Sequence, residues 1–275
     1  MSVRHCRSAL LAALALTASP GRATAQSSER PQLVIGITGG FLTGPQLWRL
    51  GRQLVPVWSG AVDSVALQRL FRTGFVAGVG ATLYRSPHFG YTAEIAFLGL
   101  PTESRCAPLG PFGLDPKHYN EQTCLSIQGR GLATNAATFQ AGVTWRAGPR
   151  AALQPYVRGM AGVAVLGGSF VTTEGSVADT TVSPTTLTRS FLDDPNPRGL
   201  TWVATLAAGA SLSINPGYRI RFEFRDVVLS LPVATGPAII TTGLPYAQVG
   251  SRTVHLPAFT VSLDLLMERE RTRRY

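Results

Sequence analysis

The stretch that decides the fold is YRIRFEFRD, residues 218–226, in which apolar and charged side chains alternate almost one for one. Side chains of a β-strand point alternately to its two sides. One face of this stretch is therefore apolar and consists of Tyr218, Ile220, Phe222 and Phe224, while arginines and a glutamate occupy the other. Such a strand needs surroundings that accept exposed aromatic rings on one side and charged groups on the other.

The same two-residue period recurs along the chain. Eight segments carry it, at about 32–43, 70–85, 89–100, 126–146, 153–168, 199–214, 218–231 and 253–266. Three connections are tight turns rich in Gly, Pro and Asn, and the other four are long, at about 44–69, 101–125, 169–198 and 232–252. The pattern predicts eight antiparallel strands in one domain, with short turns at one end and long loops at the other.

The predicted strands fit a membrane better than a soluble sandwich. Several are longer than the roughly five or six residues usual in soluble sheets, and the side opposite their apolar face is largely Gly, Ala, Ser and Thr. In a sandwich, apolar faces would meet inside the protein. If they face lipid instead, the small and polar faces enclose a narrow interior, and a closed barrel leaves no unpaired strand edge in hydrocarbon. The sequence therefore predicts an up-and-down transmembrane β-barrel.

Aromatic residues on the predicted outward faces form two groups, as expected for two membrane interfaces. Beside the short turns lie Phe89, Tyr91, Trp145 and Tyr218. Nearer the long loops lie Phe41, Phe71, Phe97 and Trp202. We predict that lipid-interface positions include Phe89, Tyr91, Trp145, Trp202 and Tyr218.

Charged residues lie on the inward faces of the predicted strands. The interior of an eight-stranded barrel is just wide enough for side chains to fill, and buried arginines need partners. We predict an interior charge network of Arg72, Glu94, Arg130, Arg158, Arg219, Arg221, Glu223, Arg225 and Asp264. The excess of arginine in this set predicts interior water or partners from the loops.

The N-terminus has the three parts of a secretory signal peptide. Two arginines in MSVRHCR precede the apolar stretch SALLAALALTA, and RATAQ supplies an Ala-x-Ala site. We predict that residues 1–25 are removed, which leaves 26–275 as the mature chain and lowers the formal charge from +10 to +7, because three arginines and no acid leave. A membrane anchor is the alternative, but the apolar stretch falls short of the about 20 residues that span a bilayer. Although the chain is basic, its arginines are dispersed and it is exported, so we expect no nucleic-acid partner.

Two cysteines remain after export, Cys106 and Cys124. An even number in a chain bound for an oxidising compartment predicts a disulfide between them. The alternative is a metal site that includes His118, but three ligands at irregular spacing are a weak signal. We predict no metal site and no cofactor.

The chain resembles the small eight-stranded outer-membrane β-barrels, of the outer membrane protein A-like and OmpW-like kind. The resemblance covers about residues 30–266 and is carried by the signal peptide, strand number, alternation and loop asymmetry. It implies a Gram-negative outer-membrane location, periplasmic short turns, extracellular long loops and a monomer surrounded by lipid. One departure is the polar tail MERERTRRY, residues 267–275, because such barrels commonly end on the aromatic residue of their last strand.

The expected function is a structural or surface-interaction role, with a plugged, porin-like barrel whose long loops contact an extracellular ligand. A narrow conduit for small or apolar molecules is the first alternative, and a lipid-modifying enzyme is the second. We predict no enzyme and no catalytic residue, because no His-x-Ser arrangement accompanies His88, His118 or His255. The first long loop contains Trp48 and Trp58 and is expected to form either an apolar cap with a helix at 61–69 or an extension of the strands.

Overall fold

The structure is a computed structural model, and it describes residues 32–56, 62–108, 119–131, 134–149, 151–179, 185–196, 198–215, 217–235, 239–240, 245–246 and 249–268. The predicted signal peptide and His118 lie outside these ranges, so the signal peptide stays a prediction. Within these ranges, no helix has the length and apolar character needed to cross a membrane.

Almost every described element is a strand. In chain order, the strands are β1 (Gln32–Leu42), β2 (Gln46–Pro56), β3 (Val62–Phe71), β4 (Gly74–Tyr84), β5 (Phe89–Leu100), β6 (Thr102–Pro108), β7 (Gln128–Gly131), β8 (Thr134–Arg146), β9 (Leu153–Leu166), β10 (Ser169–Asp179), β11 (Thr185–Asn196), β12 (Gly199–Asn215), β13 (Tyr218–Ala234), β14 (Ile239–Ile240), β15 (Pro245–Tyr246) and β16 (Val249–Glu268). One helix, α1 (Tyr119–Ser126), precedes β7.

Eight of the strands close into a barrel in the order β1-β16-β13-β12-β9-β8-β5-β4. Every neighbouring pair is antiparallel. The predicted eight-stranded antiparallel barrel is therefore confirmed. Closure gives each barrel strand a hydrogen-bonding neighbour on both sides, so none of the eight is an edge strand.

The ends of the barrel strands differ from the predicted segments in several places. The second predicted strand begins at Gly74 rather than at 70, because residues 72–73 separate β4 from β3. The fourth begins at Thr134 rather than at 126, because α1 and β7 occupy the preceding residues. At the C-terminal end β16 continues to Glu268, so the first two residues of the predicted tail belong to the last strand.

The long connections build two further sheets beyond the barrel. One has the order β2-β3-β6, and the other has the order β14-β15-β11-β10-β7. We call these two sheets and α1 the loop-end module. The predicted helix at 61–69 is wrong, because residues 62–69 belong to β3, which pairs with β2 and β6. From Leu67 to Phe71, buried and partly exposed side chains alternate. This period is that of a strand, and the strand-extension alternative holds for the described part of the loop.

The predicted disulfide is confirmed and lies in the loop-end module. It links Cys106 of β6 to Cys124 of α1, with 5.3 Å between the two Cα atoms. Both cysteines are therefore used, which rules out the alternative in which they ligate a metal. The bond ties the helix to the three-stranded sheet.

The polarity of the barrel wall inverts along its length, as the long hairpin β13–β16 shows. In its lower part the outward residues are apolar and include Phe222, Phe224, Phe259 and Val261. Above Phe224 and Phe259 the outward residues include Asp226, Ser230, Ser251, Thr253 and His255. The inward residues change in the opposite sense, from Arg219, Arg221, Glu223 and Arg225 to Val227, Leu229, Leu231 and Val233.

Candidate functional site: the charged waist and the loop-end module

Four charged side chains meet in the middle of the barrel. Nη1 of Arg225 lies 2.5 Å from Oε1 of Glu94, and Nη2 of Arg225 lies 2.6 Å from Oε1 of Glu223. Nη2 of Arg158 lies 2.6 Å from Oε1 of Glu223 and 3.0 Å from Oε2 of Glu94. At most 1% of each side chain is exposed. Two cations and two anions thus balance one another in a buried cluster, which we call the charged waist.

The charged waist connects opposite walls of the barrel. Glu94 is on β5 and Arg225 is on β13, and these strands are four positions apart in a ring of eight. Their hydrogen bond therefore crosses the interior along its diameter. Arg158 reaches the same two carboxylates from β9, which lies between them on one side of the ring.

Neutral groups complete the waist. The hydroxyl of Tyr156 donates to Oε2 of Glu223 at 2.7 Å, and Nη2 of Arg225 donates to Oγ1 of Thr260 at 3.4 Å. In addition, Oγ1 of Thr205 donates to Oε1 of Gln140 at 2.8 Å. Burial of ion pairs is tolerated only when further hydrogen bonds satisfy the remaining groups, and the bonds from Tyr156 and to Thr260 supply part of that satisfaction.

Toward the short turns the interior stays polar. Arg221 pairs with Asp264 at 3.3 Å, and Nη1 of Arg219 donates to Oε1 of Gln154 at 2.7 Å. The guanidinium of Arg146 lies 3.7 Å from the ring centroid of Tyr84. These side chains line a cavity of about 20 Å³, which is room for about one water molecule. The predicted interior water therefore has a suitable place at this end.

Toward the long loops the interior is apolar. Buried aliphatic side chains of the barrel strands fill it, among them Leu42, Val76, Leu98, Leu100, Leu166, Val203, Leu229, Leu231 and Leu256. Residues of the loop-end module, including Trp48, Leu50, Leu67, Cys124 and Leu192, belong to the same cluster. The loop-end module is thus packed onto the barrel through a continuous hydrophobic core.

Most of the predicted charge network lies inside the barrel, but two members do not. Glu94, Arg158, Arg219, Arg221, Glu223, Arg225 and Asp264 have inward positions. The prediction is wrong for Arg72, which lies between β3 and β4 with 68% of its side chain exposed. It is also wrong for Arg130, which lies on β7, is 67% exposed and pairs with Glu174 at 3.2 Å. In both cases the alternation was extended past the true end of a barrel strand.

The predicted interface aromatics all point outward and are exposed: Phe89, Tyr91, Trp145, Trp202 and Tyr218. Phe89 is paired with Trp145 across β5 and β8, and it contacts Tyr91 edge to face with 5.7 Å between ring centroids. Phe71, which the alternation predicts to face outward, is instead buried on β3. The reason is again the interruption at 72–73, after which the parity of the outward face changes.

Four phenylalanines, on four adjacent strands, form a row on one side of the apolar exterior. Phe75, Phe41, Phe259 and Phe224 are successive register partners on β4, β1, β16 and β13. All four are exposed. We call them the upper aromatic row, and Phe97 extends it, since its ring centroid lies 5.7 Å from that of Phe75.

The described histidines make structural contacts. Nδ1 of His88 lies 2.9 Å from the carbonyl oxygen of Arg146 in a short turn. Nδ1 of His255 lies 2.7 Å from Oδ2 of Asp226 on the outer wall, just above the upper aromatic row. Among the residues that the structure describes, no group of three or more metal-ligating side chains occurs.

Comparisons with known proteins give structural likenesses only. No protein-family model matches the chain, and no curated protein matches it. Similar solved structures include Neisserial surface protein A (7% identity, 86% of this chain and 99% of that chain, TM-score 0.39), outer membrane protein OprG from Pseudomonas aeruginosa (12%, 86% and 96%, 0.39) and outer membrane protease OmpT from Escherichia coli (10%, 90% and 99%, 0.40). All three TM-scores are below 0.5. The chain's own strands and side chains define its class, which is a closed, eight-stranded antiparallel β-barrel with an apolar exterior and a charged waist.

Proposed function

We propose that the protein is a monomeric, integral outer-membrane β-barrel whose interior is sealed and whose loop-end module contacts molecules outside the cell. The observation that carries the proposal is the hydrogen bond between Arg225 and Glu94, which joins opposite walls of the barrel. A structural or surface-interaction role follows, because solute passage would require this bond to break.

The exterior supports insertion in a membrane. On β5 the outward residues Phe89, Tyr91, Ala93, Ile95 and Phe97 are all exposed and span nine residues of the strand. A tilted strand crosses the hydrocarbon with about 9–11 residues. An exposed apolar belt this tall on a water-soluble protein would favour aggregation, whereas lipid accommodates it. The predicted signal peptide agrees with delivery to the outer membrane.

Two layers support the seal. The charged waist fixes side chains from β5, β9 and β13 in one network, and the aliphatic layer fills the barrel between the waist and the loop-end module. A conduit for apolar molecules would have to pass through Leu98, Leu229 and Leu256, each of which is less than 3% exposed. The interior therefore favours a closed barrel over a conduit.

A lipid-modifying activity has less support. His255 is near the outer rim and has an acidic partner, Asp226, but an enzyme of this type also needs a nucleophile within hydrogen-bond reach of the histidine. Within the described part of the chain, the side-chain hydrogen bond found for His255 goes to Asp226. We therefore propose a non-enzymatic role.

Conductance in a planar bilayer tests the seal. The wild-type protein should give no stable stepwise currents. A variant that combines Glu94→Ala and Arg225→Ala in the waist with Leu229→Ala and Leu256→Ala in the aliphatic layer opens both layers of the seal, keeps the net charge and should conduct measurably more than the wild type. Arg130→Ala, at an exposed position outside the barrel, is the matched control and should give no stepwise currents. Stepwise currents from the wild type would refute the sealed interior.

A further inference from the structure

The three-stranded sheet of the loop-end module stands on one wall of the barrel. Its strands continue from the long-loop ends of three adjacent barrel strands: β2 follows β1, β3 precedes β4 and β6 follows β5. The top of this wall carries three exposed phenylalanines of the apolar exterior, Phe41, Phe75 and Phe97. The sheet therefore begins where the apolar exterior of this wall ends.

The two faces of this sheet differ in burial and charge. One face packs against the rest of the module, with Arg69 over the Trp48 ring at 5.0 Å and close to Thr173 at 3.5 Å. On the other face, Arg49, Gln68 and Arg105 lie side by side, because Arg49 pairs with Gln68 and Gln68 pairs with Arg105 in the strand register. This second face is the one open to surrounding molecules.

The charge on the open face is predominantly positive. Its described charged side chains are Arg49, Arg105, Glu103 and the adjoining Arg72. Arg105 pairs closely with Glu103, and Nε of Arg72 lies 3.9 Å from the same carboxylate. The two arginines share this acid, and 61% and 68% of their side chains remain exposed. We call Arg49, Arg72 and Arg105 the basic face.

We propose that the basic face binds phosphate groups of lipid headgroups in the outer leaflet of the surrounding membrane, an inference that rests on the outer-membrane location proposed above. Arginine matches phosphate in charge and in its fork of donors. Arg72 precedes Phe75 by three residues, about 10 Å of extended chain on the long-loop side, which places its guanidinium beyond the hydrocarbon, at headgroup depth. Arg105 and Arg49 extend the positive charge away from the membrane.

A lipid is favoured over a soluble polyanion because the basic face is continuous with the apolar wall. The same three barrel strands present phenyl rings to the acyl chains and, through the sheet above them, arginines to the headgroups. A phosphorylated lipid matches both parts, whereas a soluble polyanion would use the arginines alone. The bound lipid would then stabilise the position of the loop-end module on the barrel.

Retention of purified lipid A by the detergent-solubilised, full-length mature protein, followed by native mass spectrometry, tests the proposal. The wild type should retain lipid A with two phosphates and lose it when both phosphates are removed. The triple variant R49Q, R72Q, R105Q should bind more weakly by about fivefold for each arginine. Arg130→Gln, an equally exposed arginine on another sheet, is the matched control and should bind as the wild type does.

A second variant keeps the test decisive if the triple variant folds poorly. Glu103→Gln removes the one carboxylate among the described side chains of the open face, so it should tighten retention by up to about fivefold. Retention that is unchanged in both variants, or that is the same with and without lipid phosphates, overturns the proposal. Arginine-dependent binding of a soluble sulfated polysaccharide with no preference for lipid A also overturns it. Heat-modifiable migration on a gel separates these outcomes from failure of the barrel proposal, because a protein that lacks it is not a folded barrel.

Discussion

The lower and upper halves of the hairpin β13–β16 are one continuous ladder with opposite polarity. Below the upper aromatic row the outer side is apolar and the inner side is charged; above it the outer side carries Asp226 and His255 and the inner side carries leucines. The register of the two strands continues without a shift, so the same alternate positions face outward along the whole hairpin. The change in polarity therefore does not come from the strand pairing. We attribute the difference to the medium outside the wall, with lipid at and below Phe224 and Phe259 on this hairpin and water above them.

The largest effect is expected from breaking the charged waist. Glu223→Ala removes the partner of Arg158, Arg225 and Tyr156 and leaves two buried guanidinium groups with less compensation. Loss of one member of a buried ion pair typically costs about 3–5 kcal/mol, and we expect a loss of folding stability of that size. Glu223→Gln keeps an acceptor for the tyrosine hydroxyl and should cost less. Urea titration of heat-modifiable migration measures both, and equal stability of Glu223→Ala and the wild type would show that the waist contributes nothing.

Two matched substitutions on the outer face of β13 test where this strand passes from lipid into water. Phe222→Arg places a charge on the part of the wall that faces lipid, two residues below Phe224, so its cost should be smaller than the about 2–4 kcal/mol expected at the midplane. Ser230→Arg has the same outward parity but lies above the upper aromatic row, so its effect should stay within about 0.5 kcal/mol.

Folding yield into lipid vesicles, measured side by side for the two variants, gives the comparison. Equal losses for Phe222→Arg and Ser230→Arg would place both positions in the same medium. That result would contradict the assignment of the boundary to Phe224 and Phe259.

The sequence alone predicts the barrel, because the alternation that identifies each strand is a local pattern. Each barrel strand alternates for ten or more residues, and alternation assigns each side chain to a side without knowledge of its partners. The same parity could not tell that Arg225 and Val227, two residues apart on one face, lie in different layers of the interior. The alternation along a strand shows whether a side chain faces into or out of the barrel. Whether an inward side chain belongs to the charged layer or to the aliphatic layer depends on the side chains that it meets from the opposite wall.

The errors have a common cause at the boundaries of the strands. The predictions for Arg72 and Phe71 continue the alternation of β4 through residues 72–73, where the strand is interrupted. Arg130 was assigned to β8 although it belongs to β7, which pairs with β10 far along the chain. The two sheets of the loop-end module depend on such non-local pairings, for which the sequence pattern carries no signal comparable to a barrel period.

The smallest effect on the barrel is expected from the disulfide, because both cysteines lie in the loop-end module. Cys106 and Cys124 are 18 positions apart, and closing a loop of this size contributes about 3 kcal/mol on the chain-entropy model. If the module and the barrel unfold separately, Cys106→Ser should destabilise α1 and the sheet that it joins while the barrel keeps its stability. Limited proteolysis should then cut the module faster than in the wild type, with heat-modifiable migration unchanged. Reduction of the wild type by dithiothreitol should reproduce the result without a substitution. A parallel loss of barrel stability would show instead that the apolar core shared by Leu67, Leu229 and Leu256 makes the two regions a single cooperative unit.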